Sequence, residues 1–313
     1  MKVHSDVRKI KQRAFEKPVV TLGSFDGLHL GHQAIIIRLM EKSNEKSQTA
    51  VVVTYEPHPQ SVVAPSDVPL LLTTLEEKLT LMGKLGVEEI VVMDFDRELK
   101  EYSAEEFIER ILVEKLNVGG LVVGNDHAFG KNRSGGMDLL RKTSDKSGFN
   151  LEVVPAQYVN GVRVSSSQIR KRLKAGEFSL AIAMLGHSYP LSGNVISGRG
   201  RGRSLDYPTL NLEIHPRKLL PSDGVYSARV QLDGKSYVGM LYIGPRPTFG
   251  EVDRSVEIHV FGLDQNAVGS KVEVQVESWI RDPMTFPDPS QLRDQMKSDE
   301  KKIKRLFHIN SNL

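Results

Sequence analysis

"GSFDGLHLGH" (residues 23–32) decides how the first half of the chain is read. It follows the apolar run "VVTLG" (19–23) and precedes "AIIIRLM" (34–40), whose apolar residues have helical spacing. The stretch is a strand-to-helix corner with three glycines, Gly23, Gly27 and Gly31, and two histidines, His29 and His32. A helix start has unpaired backbone N–H groups and the positive end of the helix dipole, so it attracts phosphate. Glycine lets a backbone approach an anion closely. Histidines placed there donate hydrogen bonds that strengthen as charge builds on a phosphorus. Taken alone, the same pattern is equally a tight structural corner. Nothing around the two histidines in sequence suggests a metal-ligand set.

Outward from this corner, short apolar runs alternate with amphipathic stretches. "TAVVVTY" (49–55), "EIVVMD" (89–94), "GLVVG" (120–124) and "LEVVP" (151–155) read as buried strands. Residues 31–43, 75–86, 103–116 and 135–147 have helical spacing, and Ser103 with Glu106 forms a capping-box signal. The alternation predicts an α/β Rossmann-like domain, a parallel sheet with helices on both faces. Catalytic groups then belong at the C-terminal strand ends, where "GSFDG", "YEPHP" and "GNDHAFG" lie.

The texture changes near residue 186. Residues 165–184 read as two short helices broken at Ala175-Gly176. Alternating runs follow at 193–198, 224–232, 236–244, 255–262 and 271–280, separated by turn residues. They predict an antiparallel β-barrel, closed off by a C-terminal helix over about 289–306. The expected domains are therefore 1–186 and 187–313.

Bulk composition excludes several classes. The chain has 313 residues, 39% apolar and 26% charged, with a net charge of +3. Basic and acidic side chains balance in both halves, 25 against 24 in residues 1–186 and 17 against 15 in 187–313. Neither half carries the basic excess of a nucleic-acid-binding protein. No apolar run spans a bilayer and none reads as a secretory signal. The absence of cysteine rules out disulfides, thiolate zinc and a Cys nucleophile, and fits a cytoplasmic protein. The expected partners are small molecules only, with no nucleic acid and no membrane, and the expected state is a monomer or weak oligomer.

A second motif supports the corner. "RVSSSQIRKRL" (163–173) puts Ser165, Ser166 and Ser167 at another helix start, with Arg170 one turn in. It reads either as a serine N-cap with a solvated arginine or as a second phosphate-binding helix end. With "TYEPHP" (54–59), "VGNDHAFGKNRSGG" (123–136), "GRGRGRSLDYPTLNL" (198–212), "GVYSARV" (224–230), "IGPRPTFG" (243–250) and "VEIHVFG" (256–262), the chain resembles the prokaryotic bifunctional riboflavin kinase/FAD synthetase family over nearly its whole length.

The resemblance implies an FMN adenylyltransferase domain that joins FMN to ATP, giving FAD and pyrophosphate. His29 and His32 would bind the triphosphate and stabilise the transition state. Asp126 would lie at the transfer site. Gly23, Phe25, Asp26, Gly27, Gly31, Arg163, Ser166, Ser167 and Arg170 would hold ATP and its phosphates. Tyr55, Pro57, His58 and Pro59 would line the flavin side. Ser167 stands where the family has threonine, and His127 and Ala128 replace an aromatic and a basic residue.

The second domain resembles riboflavin kinase, which phosphorylates the ribityl hydroxyl of riboflavin with ATP. Thr209 and Asn211 of "PTLN" would contact Mg²⁺ and phosphate, Glu257 would be the general base, and Gly198 and Gly202 of "GRGRGR" would belong to a phosphate-covering loop. Four places depart from the family. Asp206 stands for glycine, Tyr242 for asparagine, Gly262-Leu263 for an Asp-Phe pair and Val268 for tyrosine. Three outcomes stay open: a bifunctional enzyme, an FAD synthetase with a degenerate kinase domain, and a flavin-responsive nucleic-acid-binding regulator.

Overall fold

The computed structural model describes all residues except 12, 132–133, 199–205, 247–250, 266 and 310–313. The chain divides into two compact units, residues 1–71 with 78–166, and residues 72–77 with 167–313.

The first unit is built on six strands, β1 (Lys2–His4), β2 (Val19–Leu22), β3 (Ala50–Glu56), β4 (Glu89–Asp94), β5 (Gly120–Gly124) and β6 (Asn150–Val154). They form one sheet in the order β1-β4-β3-β2-β5-β6. Every pairing is parallel, as the strand–helix alternation predicts. β1 was not foreseen: its three residues "KVH" are half exposed and too short to show a pattern.

Successive residues of each strand serve opposite faces. Val20, Leu22, Val51, Val53, Val91, Leu121 and Val123 pack with Phe107, Ile108 and Ile111 on one side. Val19, Val52, Ile90 and Val122 pack with Ile36, Leu39 and Met82 on the other. Helix α1 (Leu30–Glu45) buries Ile36, Leu39 and Ser43, a spacing of three and four that marks one helix face. Burying Ile36 or Leu39 stabilises the unit by roughly 1.5–3 kcal/mol each.

The shorter helices are α2 (Pro59–Val63), α3 (Leu75–Lys84), α4 (Arg97–Glu101), α5 (Ala104–Glu106) and α6 (Met137–Ser147). The capping box at Ser103 is present: its hydroxyl accepts the Glu106 N–H at 3.0 Å, and the Glu106 carboxylate accepts the Ser103 N–H at 3.0 Å. After one turn α5 continues as a wider π-helical stretch, Phe107–Lys115. A hairpin, β7 (Tyr158–Val159) and β8 (Val162–Arg163), follows β6.

In the second unit, β9 (Tyr189–Ile196), β10 (Leu210–Ile214), β11 (Gly224–Leu232), β12 (Lys235–Arg246), β13 (Glu251–Val260) and β14 (Lys271–Arg281) close a barrel in the order β10-β13-β12-β11-β14-β9. All its pairings are antiparallel. Helices α7 (Ser166–Lys174) and α8 (Phe178–Leu185) precede it and are separated at Gly176, whose φ of 78° ends the first. The last helix, α9 (Pro289–Leu306), lays Ile303 on Val225, Met240 and Ile280 of the barrel's outer face. Arg281 donates to Asp299 of α9 at 2.8 Å, and Asp299 is itself buried.

Residues 72–77 group with the barrel unit although the rest of that unit begins only at residue 167. The Glu77 carboxylate accepts from Lys218 Nζ at 2.6 Å and from the Ser192 backbone N–H at 2.8 Å, and both charged groups are buried. Lys218 also donates to the Leu72 carbonyl at 2.6 Å and lies over the Tyr189 ring.

Candidate active site

In the first unit the chain runs from β2 to β3 to β4 on one side, then crosses to β5 on the other side of β2. The crevice above β2 and β5 is thus the topological switch point, where open α/β sheets bind ligands. α1 starts there. His29 is its N-cap, and His29 Nδ1 accepts the His32 backbone N–H at 3.3 Å. A neutral His29 in this arrangement carries its proton on Nε2. The two imidazoles stack with centroids 3.6 Å apart, and the Phe25 ring meets His32 edge-on.

Burial, then the neighbouring His29 and Lys78, holds the His32 pKa well below the usual imidazole value. His32 is thus neutral at pH 7, and its buried Nδ1 has no hydrogen-bond partner among the described residues.

The three glycines have distinct roles. Gly27 has φ 82° and needs the left-handed conformation. A Cβ on Gly31 would stand 3.1 Å from His29 Cε1, and one on Gly23 would stand 3.3 Å from the Phe25 ring. These two admit rings of the corner itself. Phe25 and Asp26 are buried within it.

Several residues singled out in sequence meet here. Ser166 Oγ donates to the Asp26 carbonyl at 2.9 Å, which fastens the start of "SSQIR" to the glycine corner. Arg163 pairs with Asp126 at 2.8 Å. Arg163 also donates to Asn125 Oδ1 at 3.3 Å, a contact sequence reasoning missed because Asn125 is one polar residue among several in its loop. At the end of β3, Tyr55 is buried, and His58 caps α2, with Pro57 and Pro59 on either side. Ser167 and Arg170 lie in the first and second turns of α7, and fall in the other unit.

In the barrel, register creates the cluster. Asn211 on β10 pairs with Glu257 on β13, and Glu257 pairs with Tyr242 on β12. The three residues form a row across adjacent strands. Thr209 Oγ1 donates to Glu257 Oε2 at 3.0 Å, and Ser255 Oγ donates to Glu257 Oε1 at 3.1 Å. Gly198 lies so close to Asn211 that a Cβ would be 2.0 Å from its Nδ2. Gly202 falls outside the described residues.

The family departures also have structural reasons. Asp206 has φ 62°, the left-handed conformation that glycine adopts freely and aspartate tolerates. Its carboxylate is exposed and lies 3.9 Å from Arg293. The Tyr242 hydroxyl donates to the Pro245 carbonyl further along β12. Gly262 has φ 72°, a conformation that glycine adopts more readily than a residue with a side chain. Val268 is exposed.

Among the described residues, no group of three or more His, Asp or Glu side chains is placed to hold a metal, and no helix is long and apolar enough to cross a membrane.

Comparison with known proteins agrees with this geometry. Residues 11–168 match the family model for FAD synthetase, and residues 185–307 match that for riboflavin kinase. The chain is 32% identical to the bifunctional riboflavin kinase/FMN adenylyltransferase of Escherichia coli K12, covering 99% of both chains. It is 35% identical to that of Pseudomonas fluorescens, covering 90% of both. A solved structure, a Streptococcus pneumoniae protein described as a macrolide-efflux protein, matches with a TM-score of 0.84 at 28% identity, covering 96% of this chain and 98% of that one. On its fold, its two family matches and its full-length relatives, the chain belongs to the bifunctional riboflavin kinase/FMN adenylyltransferase family.

Proposed function

We propose that residues 1–186 transfer AMP from ATP to FMN, giving FAD and pyrophosphate, and that residues 187–313 phosphorylate riboflavin to FMN. The observation that supports the first reading is the hydrogen bond from Ser166 to the Asp26 carbonyl, which ties the serine that opens α7 to the glycine corner. The second rests on Asn211, Glu257 and Thr209 standing together on β10 and β13 and the segment before them.

Adenylyl transfer needs no protein nucleophile. The FMN phosphate is an anion at neutral pH and attacks the α-phosphorus in line as pyrophosphate leaves. Positioning and neutralisation of charge therefore supply the rate. His29 Nε2 and His32, both at the start of α1, donate to phosphate oxygens. Arg163, Ser166, Ser167 and Arg170 add cationic and hydroxyl donors. Gly23, Phe25, Asp26, Gly27 and Gly31 shape the corner, while Tyr55, Pro57, His58 and Pro59 line the flavin side. Asp126, paired with Arg163, borders the transfer site.

In the kinase site Glu257 accepts the proton of the ribityl hydroxyl. The fit to Mg²⁺ is good: the Thr209 hydroxyl, the Asn211 amide and the Glu257 carboxylate are hard oxygen groups, and Mg²⁺ in phosphoryl-transfer sites takes few protein ligands. When bound, Mg²⁺ would neutralise phosphate charge, held by Thr209 and Asn211. Gly198 gives Asn211 its space. ATP as co-substrate suits a cytoplasmic enzyme whose partners are small molecules.

The test is pyrophosphate release from ATP and Mg²⁺. We expect release on adding FMN. Release that ignores FMN contradicts the reading.

A further inference from the structure

Lys78 lies in "EEKL" of α3, a sequence that looks like a solvated helix face. It is 5% exposed. Its Nζ donates to the Ser24 carbonyl at 3.1 Å and to the Tyr55 carbonyl at 3.3 Å. Ser24 opens the segment that ends in His29 and His32. Tyr55 opens the "YEPHP" segment assigned to the flavin side. A buried ammonium is unfavourable unless its protons and charge are used. Here two protons join two loops, and the Ser24 carbonyl also accepts from Thr54 Oγ1 at 3.3 Å.

We propose that Lys78 is a positioning residue for adenylyl transfer, fixing the glycine corner against the end of β3. The inference rests on the adenylyl-transfer reading above. In-line attack needs the FMN phosphate and the α-phosphorus held at one distance and angle, and these two loops carry the groups assigned to each. Loss of the clip loosens that geometry while leaving the separate ligand contacts in place, so the cost falls on kcat more than on KM.

The ammonium also acts on the imidazole pair. The groups facing Lys78 are Asp26 in the corner, Glu56 on β3 and His32 on α1. Burial draws the Lys78 pKa down to about 8, with Glu56 and Asp26 opposing the fall. The charge of Lys78 adds to burial and His29 in keeping His32 neutral. As pH rises through about 8 the ammonium loses its proton, and the clip weakens.

The experiment compares wild type with Lys78→Met, which keeps the stem and removes the charge, and with Lys78→Arg. FAD formation from FMN and ATP is followed between about pH 6 and pH 10, with the His32 ring titrated by NMR. For Lys78→Met we expect kcat to fall about 10²-fold with KM for FMN and ATP little changed. The wild type loses kcat/KM as pH passes about 8, and the variant lacks that limb. His32 titrates at higher pH in the variant, and Lys78→Arg recovers part of kcat. A variant with wild-type kcat, or one that keeps the alkaline limb, overturns the proposal. If Lys78→Met does not fold, Lys78→Gln takes its place, and a wild-type kcat in that variant overturns the proposal. A wild type that makes no FAD sinks the adenylyl-transfer reading instead.

Discussion

The Nδ1 atom of His29 accepts the backbone N–H of His32 at 3.3 Å, and the same two side chains stack ring on ring. One residue thus caps α1 and, when neutral, carries its proton on Nε2. Substitution separates the two roles. His29→Ala loses the cap, at about 1 kcal/mol of stability, and the donor. His29→Asn keeps a capping oxygen but loses the imidazole donor. We expect both to lower kcat/KM for FAD formation about 10²–10³-fold, with chemical denaturation showing a stability loss only for the alanine variant.

His32 gives a pH dependence of stability. Its imidazole stays neutral in the folded chain, chiefly because it is buried. In the unfolded chain it gains a proton below about pH 6.5. The unfolded state then binds more protons, so stability falls as pH is lowered through that value. Denaturant titrations at pH 7.5 and 5.5, conditions on either side of about 6.5, check this. His32→Gln flattens the slope.

In the barrel, the row Asn211–Glu257–Tyr242 predicts a selective loss. Glu257→Gln removes the base and lowers riboflavin phosphorylation about 10²–10⁴-fold, while FAD formation from supplied FMN persists. Gly198→Ala drives a methyl into Asn211 and gives the same split, read by the same two assays.

Glu77 and Lys218 form a buried pair. Glu77→Ala leaves the Lys218 ammonium buried without its carboxylate, which costs about 3–5 kcal/mol, measured by urea unfolding of the full chain. Glu77→Leu with Lys218→Met recovers most of the loss, because apolar side chains of similar size need no partner.

How much of this was legible in the sequence follows from what each feature depends on. The strands of the parallel sheet show as apolar runs because both faces are covered. The barrel strand β14 shows as alternation because one face is buried. β1 escaped notice because three residues carry no period. His29, His32, Ser166, Asn211 and Glu257 were visible as motif residues, but motifs carry no register. That Glu257 faces both Asn211 and Tyr242 follows from strand pairing between distant segments. Lys78 and Glu77 look like surface charges in an amphipathic helix, and only tertiary packing shows that both are buried. The assignment of residues 72–77 to the barrel unit leaves no compositional mark.

The most direct measurement incubates the purified chain with ATP and Mg²⁺, once with FMN and once with riboflavin, and separates the flavins by chromatography. The account predicts FAD from FMN, and FMN followed by FAD from riboflavin. No FAD from FMN would contradict its central claim.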